Sequence, residues 1–344
     1  MTHWLRNLFP KLFPVLLAAV LCIGCTARKI DSVAANPWEL VPLPTQQTML
    51  DVTLVGSGPH GWMVGKGATI LETNDGGKTW ADKSLDLGDS PYNLESVSFS
   101  GKEGWIVGKP AILLHTTDEG KNWSEIPLSN QLPGDPRLIV AQGPKQAEMM
   151  TDLGAIYRTT DGGRNWKALV QESIGVVRNV SRSASGKYVS VSSRGSYYST
   201  WNPGDEAWTQ HNRNSSRRLQ NMGYGQGDRL WSLARGGQVQ FSSPDDVESW
   251  EATTSPELRN SLGLLDLAYR NDQEVWIAGG SGDLLVSYDG GTTWQKDREV
   301  GNVPSNFYRV LFFGDDQGFV LGQNGILLRY NAAQTTASNA GLAS

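Results

Sequence analysis

The chain has 344 residues, 39% of them hydrophobic, with 39 glycines, 13 tryptophans and 2 cysteines. Its 30 Lys and Arg and 35 Asp and Glu give a formal net charge of −5, which argues against a nucleic-acid-binding protein. The length exceeds that of an ordinary single domain, but a β-propeller reaches it as one domain.

Residues 1–24 have the composition of an export signal. They contain two basic residues, Arg6 and Lys11, no acidic residue, and the apolar run 12–24. This run is shorter than the roughly 20 residues that a membrane-spanning helix needs, so a secretory signal is predicted. Loss of its two basic residues changes the net charge of the rest of the chain from −5 to −7.

The signal ends in a sequence that resembles a bacterial lipobox. Residues 21–25 read LCIGC, which predicts cleavage before Cys25 and acylation of that residue. Cys22 stands where such motifs usually have Leu, and cleavage without lipid is the alternative. Cleavage leaves Cys25 as the only cysteine, so no internal disulfide can form. We predict a lipidated N-terminus and tether at residues 25–35, outside the folded body.

Seven tryptophans recur at intervals of 42 to 44 residues. A period of this length indicates a solenoid or a propeller. Four of them close the pattern S/T-x-D-x-G-x-T/N-W, which matches the Asp-box, a β-hairpin turn. Its Asp accepts hydrogen bonds from turn amides, and its Gly permits positive φ. The seven residues are Trp38, Trp80, Trp123, Trp166, Trp208, Trp250 and Trp294, and the four full boxes are 73–80, 116–123, 159–166 and 287–294.

Besides Trp38, which no Asp-box precedes, two of the seven tryptophans follow an eroded box. Before Trp250, Ser243 and Asp245 are retained, but Val247 replaces the glycine. Trp208 has no proper box. Both repeats belong to the middle of the chain, which suggests that this region obeys a constraint other than repeat folding.

The repeat unit contains four predicted strands, which we call a, b, c and d. Strand b is a short aromatic-rich run bounded by glycine, as in 61–65 and 104–108. Strands a, b and c occur seven times, whereas an unaccompanied fourth strand, 38–43, precedes the first unit. We therefore predict an all-β fold, a seven-bladed β-propeller of four-stranded antiparallel blades at 36–331, whose ring is closed by the N-terminal strand. Residues 332–344 are predicted to be a disordered tail.

Positive charge is concentrated in residues 173–235. This segment has nine basic residues, eight of them Arg, against three acidic ones. In a propeller blade the b–c turn and the d-to-a connection lie on one face, and the c–d turn with the Asp-box lies on the other. This geometry predicts a basic patch over blades 4 and 5 near the channel mouth, formed by Arg178, Arg194, Arg213, Arg217, Arg218 and Arg235.

Arginine suits bidentate recognition of carboxylates, so a negatively charged protein segment is the predicted partner. The alternative is a set of solvated arginines in local ion pairs. Four histidines give no metal-binding pattern, and we expect neither a metal nor a cofactor.

The lipobox-like signal, the short Asp-box blades and the segments 192–196 and 212–220 resemble the photosystem II assembly and stability factor family of cyanobacteria and plastids. The resemblance implies a thylakoid-lumen propeller, lipid-anchored at Cys25. It also implies binding of newly made D1 precursor and of early assembly complexes through the arginine patch, without enzymatic activity. We expect a monomer.

The alternative class is an exported glycoside hydrolase of the sialidase type. A sialidase needs an Arg triad, a Tyr nucleophile paired with Glu, and an acid. Other glycosidases need two inward carboxylates, and Asp51, Glu95 and Asp266 lie on predicted inner strands. The Arg-Ile-Pro type motif of sialidases is absent. The segment 135–138, Asp-Pro-Arg-Leu, has the wrong order and lies in the third repeat.

Overall fold

The computed structural model describes residues 30–213, 215–243, 246, 249–256 and 263–331. The predicted signal 1–24, the lipid site Cys25 and the predicted tail 332–344 lie outside these residues. The described chain forms seven antiparallel sheets, which confirms the all-β, seven-bladed prediction. Helical structure among the described residues is limited to the three-residue 3₁₀ turns Gln226–Asp228, Gly280–Gly282 and Val300–Asn302. In this part of the chain no helix combines the length and apolar character that crossing a membrane requires.

Blades 1 to 4 each contain four strands, which follow one another from the channel outwards. Blade 1 consists of Met49–Leu54, Gly61–Gly65, Ile70–Thr73 and Ala81–Asp82. Blade 2 consists of Asn93–Ser100, Glu103–Lys109, Ile112–Thr116 and Ser124–Glu125. Blade 3 consists of Pro136–Gly143, Gln146–Thr151, Ile156–Thr159 and Lys167–Ala168. Blade 4 consists of Val177–Arg182, Tyr188–Ser192, Tyr197–Trp201 and Thr209–Asn212.

Blades 5 to 7 complete the ring. Blade 5 consists of Leu219–Tyr224, Leu230–Ala234 and Gln238–Phe241. Blade 6 consists of Leu264–Tyr269, Val275–Gly279, Leu284–Ser287 and Gln295–Lys296. Blade 7 consists of Phe307–Phe312, Gly318–Gly322, Leu327–Tyr330 and the N-terminal strand Trp38–Val41.

Blade 5 departs from the predicted four strands. Within the described residues its fourth strand is reduced to two isolated bridges, Val239 with Thr254 and Ser242 with Trp250. This is the repeat whose Asp-box has Val247 in place of glycine, so its turn lacks the residue that adopts positive φ most easily. Loss of the turn chemistry accompanies loss of the regular outer strand.

The N-terminal strand closes the ring as predicted. Trp38 lies opposite Tyr330 and Val41 opposite Leu327 in an antiparallel pair. The Trp38 side chain is 3% exposed, and its ring centroid lies 5.2 Å from that of Trp276 in blade 6. The closing strand therefore contributes both main-chain hydrogen bonds and a buried aromatic contact to the neighbouring blade.

Neighbouring blades pack through the tryptophans that define the repeat. Trp123 of blade 2 meets Trp62 of blade 1 edge to face, with centroids 5.8 Å apart. The Asp-box glycine before it, Gly120, has φ +89°, and a Cβ there would lie 2.3 Å from the Trp62 ring. The glycine is therefore required twice, by the turn and by the approach of the adjacent blade.

The C-terminal part of the predicted tether, residues 31–33, is attached to the propeller. The backbone N–H of Lys296, on the outer strand of blade 6, donates to the carbonyl of Asp31 at 2.8 Å. Val33 returns a hydrogen bond of 3.1 Å to the carbonyl of Lys296, and its side chain packs against the core between blades 6 and 7. Residues 31–33 thus differ from the prediction of a tether wholly outside the folded body.

Candidate partner-binding face

The Asp-box carboxylates serve the turns that contain them. Asp118 accepts hydrogen bonds from the backbone N–H and the side chain of Asn122, at 2.9 and 2.7 Å, and from the Thr116 hydroxyl at 2.7 Å. The Asn122 side-chain and backbone bonds, with that of Thr116, lower the pKa of Asp118 to about 2. The boxes around Asp75, Asp161 and Asp289 repeat this arrangement.

All seven inner strands carry a β-bulge near their first residues. The extra residue lies close to the face that bears the b–c turns and the d-to-a connections, and four of the seven, Leu50, Glu95, Arg137 and Tyr308, line the channel. The seven bulge residues are Leu50, Glu95, Arg137, Arg178, Gln220, Leu265 and Tyr308.

Polar side chains at or next to the bulges join every blade to the next. These contacts form a closed belt, which we call the inner polar ring. In order around the channel they are Ser96 Oγ to Asp51 Oδ2 (3.0 Å), Ile139 N to Ser96 Oγ (3.4 Å), Arg137 Nη2 to the Arg178 carbonyl (2.7 Å), Arg178 Nη1 to Gln220 Oε1 (3.0 Å), Asn221 Nδ2 to Asp266 Oδ1 (2.9 Å), Val310 N to Asp266 Oδ2 (3.0 Å) and Arg309 Nη2 to Asp51 Oδ1 (3.0 Å).

The three channel carboxylates considered for hydrolysis all have structural partners. Asp51 and Asp266 belong to the inner polar ring, and Glu95 forms an ion pair with Lys109 at 3.0 Å. Burial raises the pKa of Asp266 to about 6, against the opposing effect of Arg309. The channel holds about 670 Å³. Across the described residues no group of three or more His, Cys, Asp or Glu side chains could hold a metal ion.

The structure brings the six predicted arginines to one face. Arg194 and Arg235 lie in the b–c turns of blades 4 and 5, and Arg213, Arg217 and Arg218 lie in the connection between these blades. Backbone bonds join the three segments, since Leu219 N donates to the Gly195 carbonyl at 2.8 Å and Arg235 N to the Arg218 carbonyl at 2.9 Å. We call the set Arg178, Arg194, Arg213, Arg217, Arg218 and Arg235 the arginine face.

Charge pairing separates the arginine face from the other basic residues of the segment. The remaining three are paired, Arg182 with Glu148 at 2.7 Å, Lys187 with Asp228 at 3.2 Å and Arg229 with Glu251 at 2.5 Å. In the described part of the chain, none of the six arginines of the face forms a salt bridge with a carboxylate. Among the described residues, the alternative of local ion pairs therefore applies to the other three basic residues and not to these six.

Arg178 and Arg213 are more embedded than the other four. Arg178 is the second residue of the inner strand of blade 4, and its Nε donates to the Ser193 carbonyl at 3.2 Å. Arg213 donates from Nη1 to the Arg217 carbonyl at 2.6 Å, and burial lowers its pKa. Arg194, Arg217, Arg218 and Arg235 are exposed.

Apolar and aromatic groups lie beside the arginine face. Val176 is 59% exposed, and its carbonyl accepts a hydrogen bond of 3.0 Å from Ser193, next to Arg194. A cavity of about 530 Å³ between blades 4 and 5 is lined by Tyr198, His211 and Trp250, among others, and by Arg213. The sequence patterns did not point to Val176, Tyr198 or His211. One available signal is Val189, which stands where the b strands of blades 1 and 2 have Trp62 and Trp105.

Comparison with known proteins gives consistent matches along the chain. The family model for the photosynthesis system II assembly factor YCF48 matches residues 30–331. The chain is 58% identical over 330 residues to the photosystem II assembly lipoprotein Ycf48 of Trichormus variabilis, covering 95% of this chain and 96% of the relative. It is 56% identical over 338 residues to the photosystem II assembly protein Ycf48 of Thermosynechococcus vestitus, covering 97% of both. A solved structure described as YCF48 bound to D1 peptide is 57% identical, with a TM-score of 0.86, covering 88% of this chain and all of that one.

Proposed function

The chain belongs to the photosynthesis system II assembly factor YCF48 family, and on this basis we propose that it binds newly made D1 precursor through the arginine face and stabilises early reaction-centre intermediates. The observation that carries the proposal is that six arginines on one face of blades 4 and 5 form no salt bridge with any carboxylate in the described part of the chain. A relative solved with a D1 peptide supports the choice of partner.

The chemistry of the face suits an acidic or carboxylate-bearing segment. Guanidinium groups bind carboxylates through two parallel hydrogen bonds, and such charge-assisted bonds are stronger than neutral ones. The Arg213 guanidinium is already partly removed from water, so a carboxylate that reaches it gains more than one at a fully solvated site. Val176 and the cavity beside Tyr198 offer apolar contact to neighbouring side chains of the partner.

The test is capture of D1 precursor by a variant in which Arg194, Arg217, Arg218 and Arg235 are all changed to Ala. These four side chains are exposed, so the variant should fold normally and lose capture. Binding by the unaltered protein should weaken as salt rises, because screening acts over about 10 Å at 0.1 M.

The matched control removes exposed positive charge from the Asp-box face. Its substitutions, Lys78→Ala, Lys121→Ala and Arg164→Ala, lie in the boxes of blades 1, 2 and 3. The control should capture D1 normally. Retained capture by the arginine-face variant, with loss in the control, would move the contact to the opposite face.

We further propose that Cys25 is acylated and holds the protein on the lumenal side of the thylakoid membrane. The lipobox-like sequence 21–25 and the description of relatives as lipoproteins support this. Intact mass of the native protein should show acyl chains on an N-terminal Cys25, and Cys25→Ala should block processing or release the protein from membranes. A native protein that lacks acyl mass and washes off with salt would contradict it.

We propose that the protein acts by binding, as a monomer and without catalysis. The partners of Asp51, Glu95 and Asp266 give these carboxylates roles in joining blades or pairing with a lysine. Purified protein should show no turnover of chromogenic glycosides and should elute with the mass of one chain. Turnover that disappears on substitution of an inner-strand carboxylate would overturn the binding-only assignment.

A further inference from the structure

We propose that the outer rim of blades 6 and 7 faces the lipid bilayer and that Leu40 and Tyr288 enter its interfacial region. We call the surface formed by residues 31–33, Leu40, Tyr288 and Lys296 the tether rim. The inference rests on the proposed acylation of Cys25 and adds to it which side of the ring meets the membrane.

The first observation is where the tether joins the propeller. Residues 31–33 run beside the outer strand of blade 6, held by the two backbone hydrogen bonds with Lys296 and by the packing of Val33. Asp31 is six residues beyond Cys25. An extended chain covers at most about 3.5 Å per residue, so an acylated Cys25 keeps Asp31 within about 20 Å of the lipid.

The second observation is the distribution of exposed apolar side chains. Three large ones are exposed in the described residues: Leu40 at 58%, Val176 at 59% and Tyr288 at 46%. Two of the three lie on blades 6 and 7, the blades that residues 31–33 contact. Leu40 is on the closing strand of blade 7, and Tyr288 directly follows the blade 6 strand Leu284–Ser287, whose partner strand contains Lys296.

The residue types suit a bilayer surface better than a protein groove. Tyrosine is enriched at membrane interfaces, where its ring lies among the headgroups. Arg28 and Lys29 stand between Cys25 and Asp31, and basic residues beside a lipid anchor are attracted to anionic headgroups. On the far side of the ring, the outer strand of blade 3 is Lys167–Ala168, and Lys167 is exposed.

The test uses the native acylated protein in vesicles that contain anionic lipid and a lipid-borne fluorescence quencher. Acylation leaves no free thiol at Cys25, so Leu40→Cys can be labelled singly with an environment-sensitive fluorophore. Lys167→Cys is the matched control, since it also lies on an outer strand. We expect strong quenching and a blue shift at residue 40 and little of either at residue 167. Equal quenching at the two positions, or stronger quenching at residue 167, would overturn the proposal.

A label-free measurement covers the case in which substitution of Leu40 disturbs the closing strand. On vesicles, hydrogen exchange should slow in 38–43 and 284–292 and stay unchanged in 163–170. Unchanged exchange in the first two segments would also overturn the proposal. The vesicles contain no D1, so neither result depends on D1 capture. If intact mass shows no acyl chain, coupling the Cys25 thiol to a maleimide lipid supplies the anchor, and the same exchange pattern decides the orientation.

Discussion

The guanidinium of Arg137 donates a 2.7 Å hydrogen bond to the backbone carbonyl of Arg178 in the next blade. Arg178 in turn donates to Gln220 of blade 5, so two arginines carry the inner polar ring across blades 3, 4 and 5. The blades that form the arginine face are therefore joined by a residue of that face. A change at Arg178 should therefore affect both partner binding and stability, whereas changes at the exposed arginines should affect binding alone.

Arg178→Ala should lower thermal stability, whereas Arg194→Ala should not. The first change removes hydrogen bonds from a charged donor to Gln220 and the Ser193 carbonyl, each worth about 1.5–3 kcal/mol. The second removes an exposed side chain, with an effect within about 0.5 kcal/mol. Thermal unfolding of both variants checks this. Equal midpoints would show that the contacts of Arg178 are not stabilising.

Trp38→Ala should destabilise the whole propeller by about 3–5 kcal/mol. The indole ring of Trp38 is buried between blades 6 and 7 and contacts both Trp276 and Tyr330, whose ring centroids lie 5.2 and 5.3 Å from its own. Calorimetry should show one cooperative transition at lower temperature. An unchanged midpoint would mean that the propeller is stable without the contact that the Trp38 side chain makes at its closure.

Deletions in the tether should have unequal effects. Removal of residues 26–29 should leave the midpoint unchanged, because the hydrogen bonds described between the tether and blade 6 are those of Asp31 and Val33. Removal of residues 31–35 takes away two backbone hydrogen bonds and the partly buried Val33 side chain, and should cost about 1–2 kcal/mol. Comparison of the two deletions by thermal unfolding checks the attachment, and equal midpoints would contradict it.

Glu148→Ala should be among the most damaging single changes. The side chain is buried, and its carboxylate accepts hydrogen bonds from Arg182 at 2.7 Å and from the Tyr188 hydroxyl at 3.0 Å, in addition to those of Arg158. Removing one partner of a buried ion pair typically costs about 3–5 kcal/mol. Glu148→Gln keeps the shape and should cost less. Chemical denaturation of both variants gives the comparison, and equal losses would show that the charge is irrelevant.

Stability should rise as the pH falls from 7.5 to 5. Burial raises the pKa of both Asp266 and Asp297 to about 6 from 3.8, so between these values the folded protein binds protons that the unfolded chain does not. The contribution of these two carboxyl groups to the free energy of unfolding therefore decreases as the pH rises through 6. The low pKa of Asp118, about 2, acts oppositely only near pH 4 and below. Thermal midpoints across this range should rise by a few degrees on acidification, and less in the Asp266→Asn, Asp297→Asn double variant. A thermal midpoint that does not change with pH would contradict the raised pKa values of Asp266 and Asp297.

The repeat was predictable because one packing requirement recurs in each blade. Trp62 needs Gly120 at its face, and this contact between blades leaves a sequence signal of fixed period. Closure by the Trp38 strand was predictable because strands a, b and c occur seven times and an unaccompanied fourth strand precedes the first unit. The exposed arginines were predictable from local charge, since few acidic residues lie near them in the sequence.

Three features could not be predicted from the sequence, because they depend on contacts between residues that are distant in the chain. The bulge that places Arg178 in the inner polar ring leaves no mark in a run of six strand residues. Residues 31–33 bind blade 6 through backbone hydrogen bonds and one partly buried side chain, Val33, and neither leaves a recognisable sequence pattern. The cavity beside Tyr198 is lined by residues of several strands and loops, such as His211, Met222 and Trp250, whose proximity follows only from the fold.

Closure of the ring by the N-terminal strand also sets an order for folding. Trp38 pairs with Tyr330, so the two ends of almost the whole chain must meet before blade 7 exists. Contacts of such sequence separation form late and slowly, because a long loop must close first. In the export that we propose, the N-terminal strand emerges first and stays unpaired until the last strand follows. Until then blades 6 and 7 expose the apolar surface that Trp38 covers, so the risk of aggregation is greatest just before the last strand arrives.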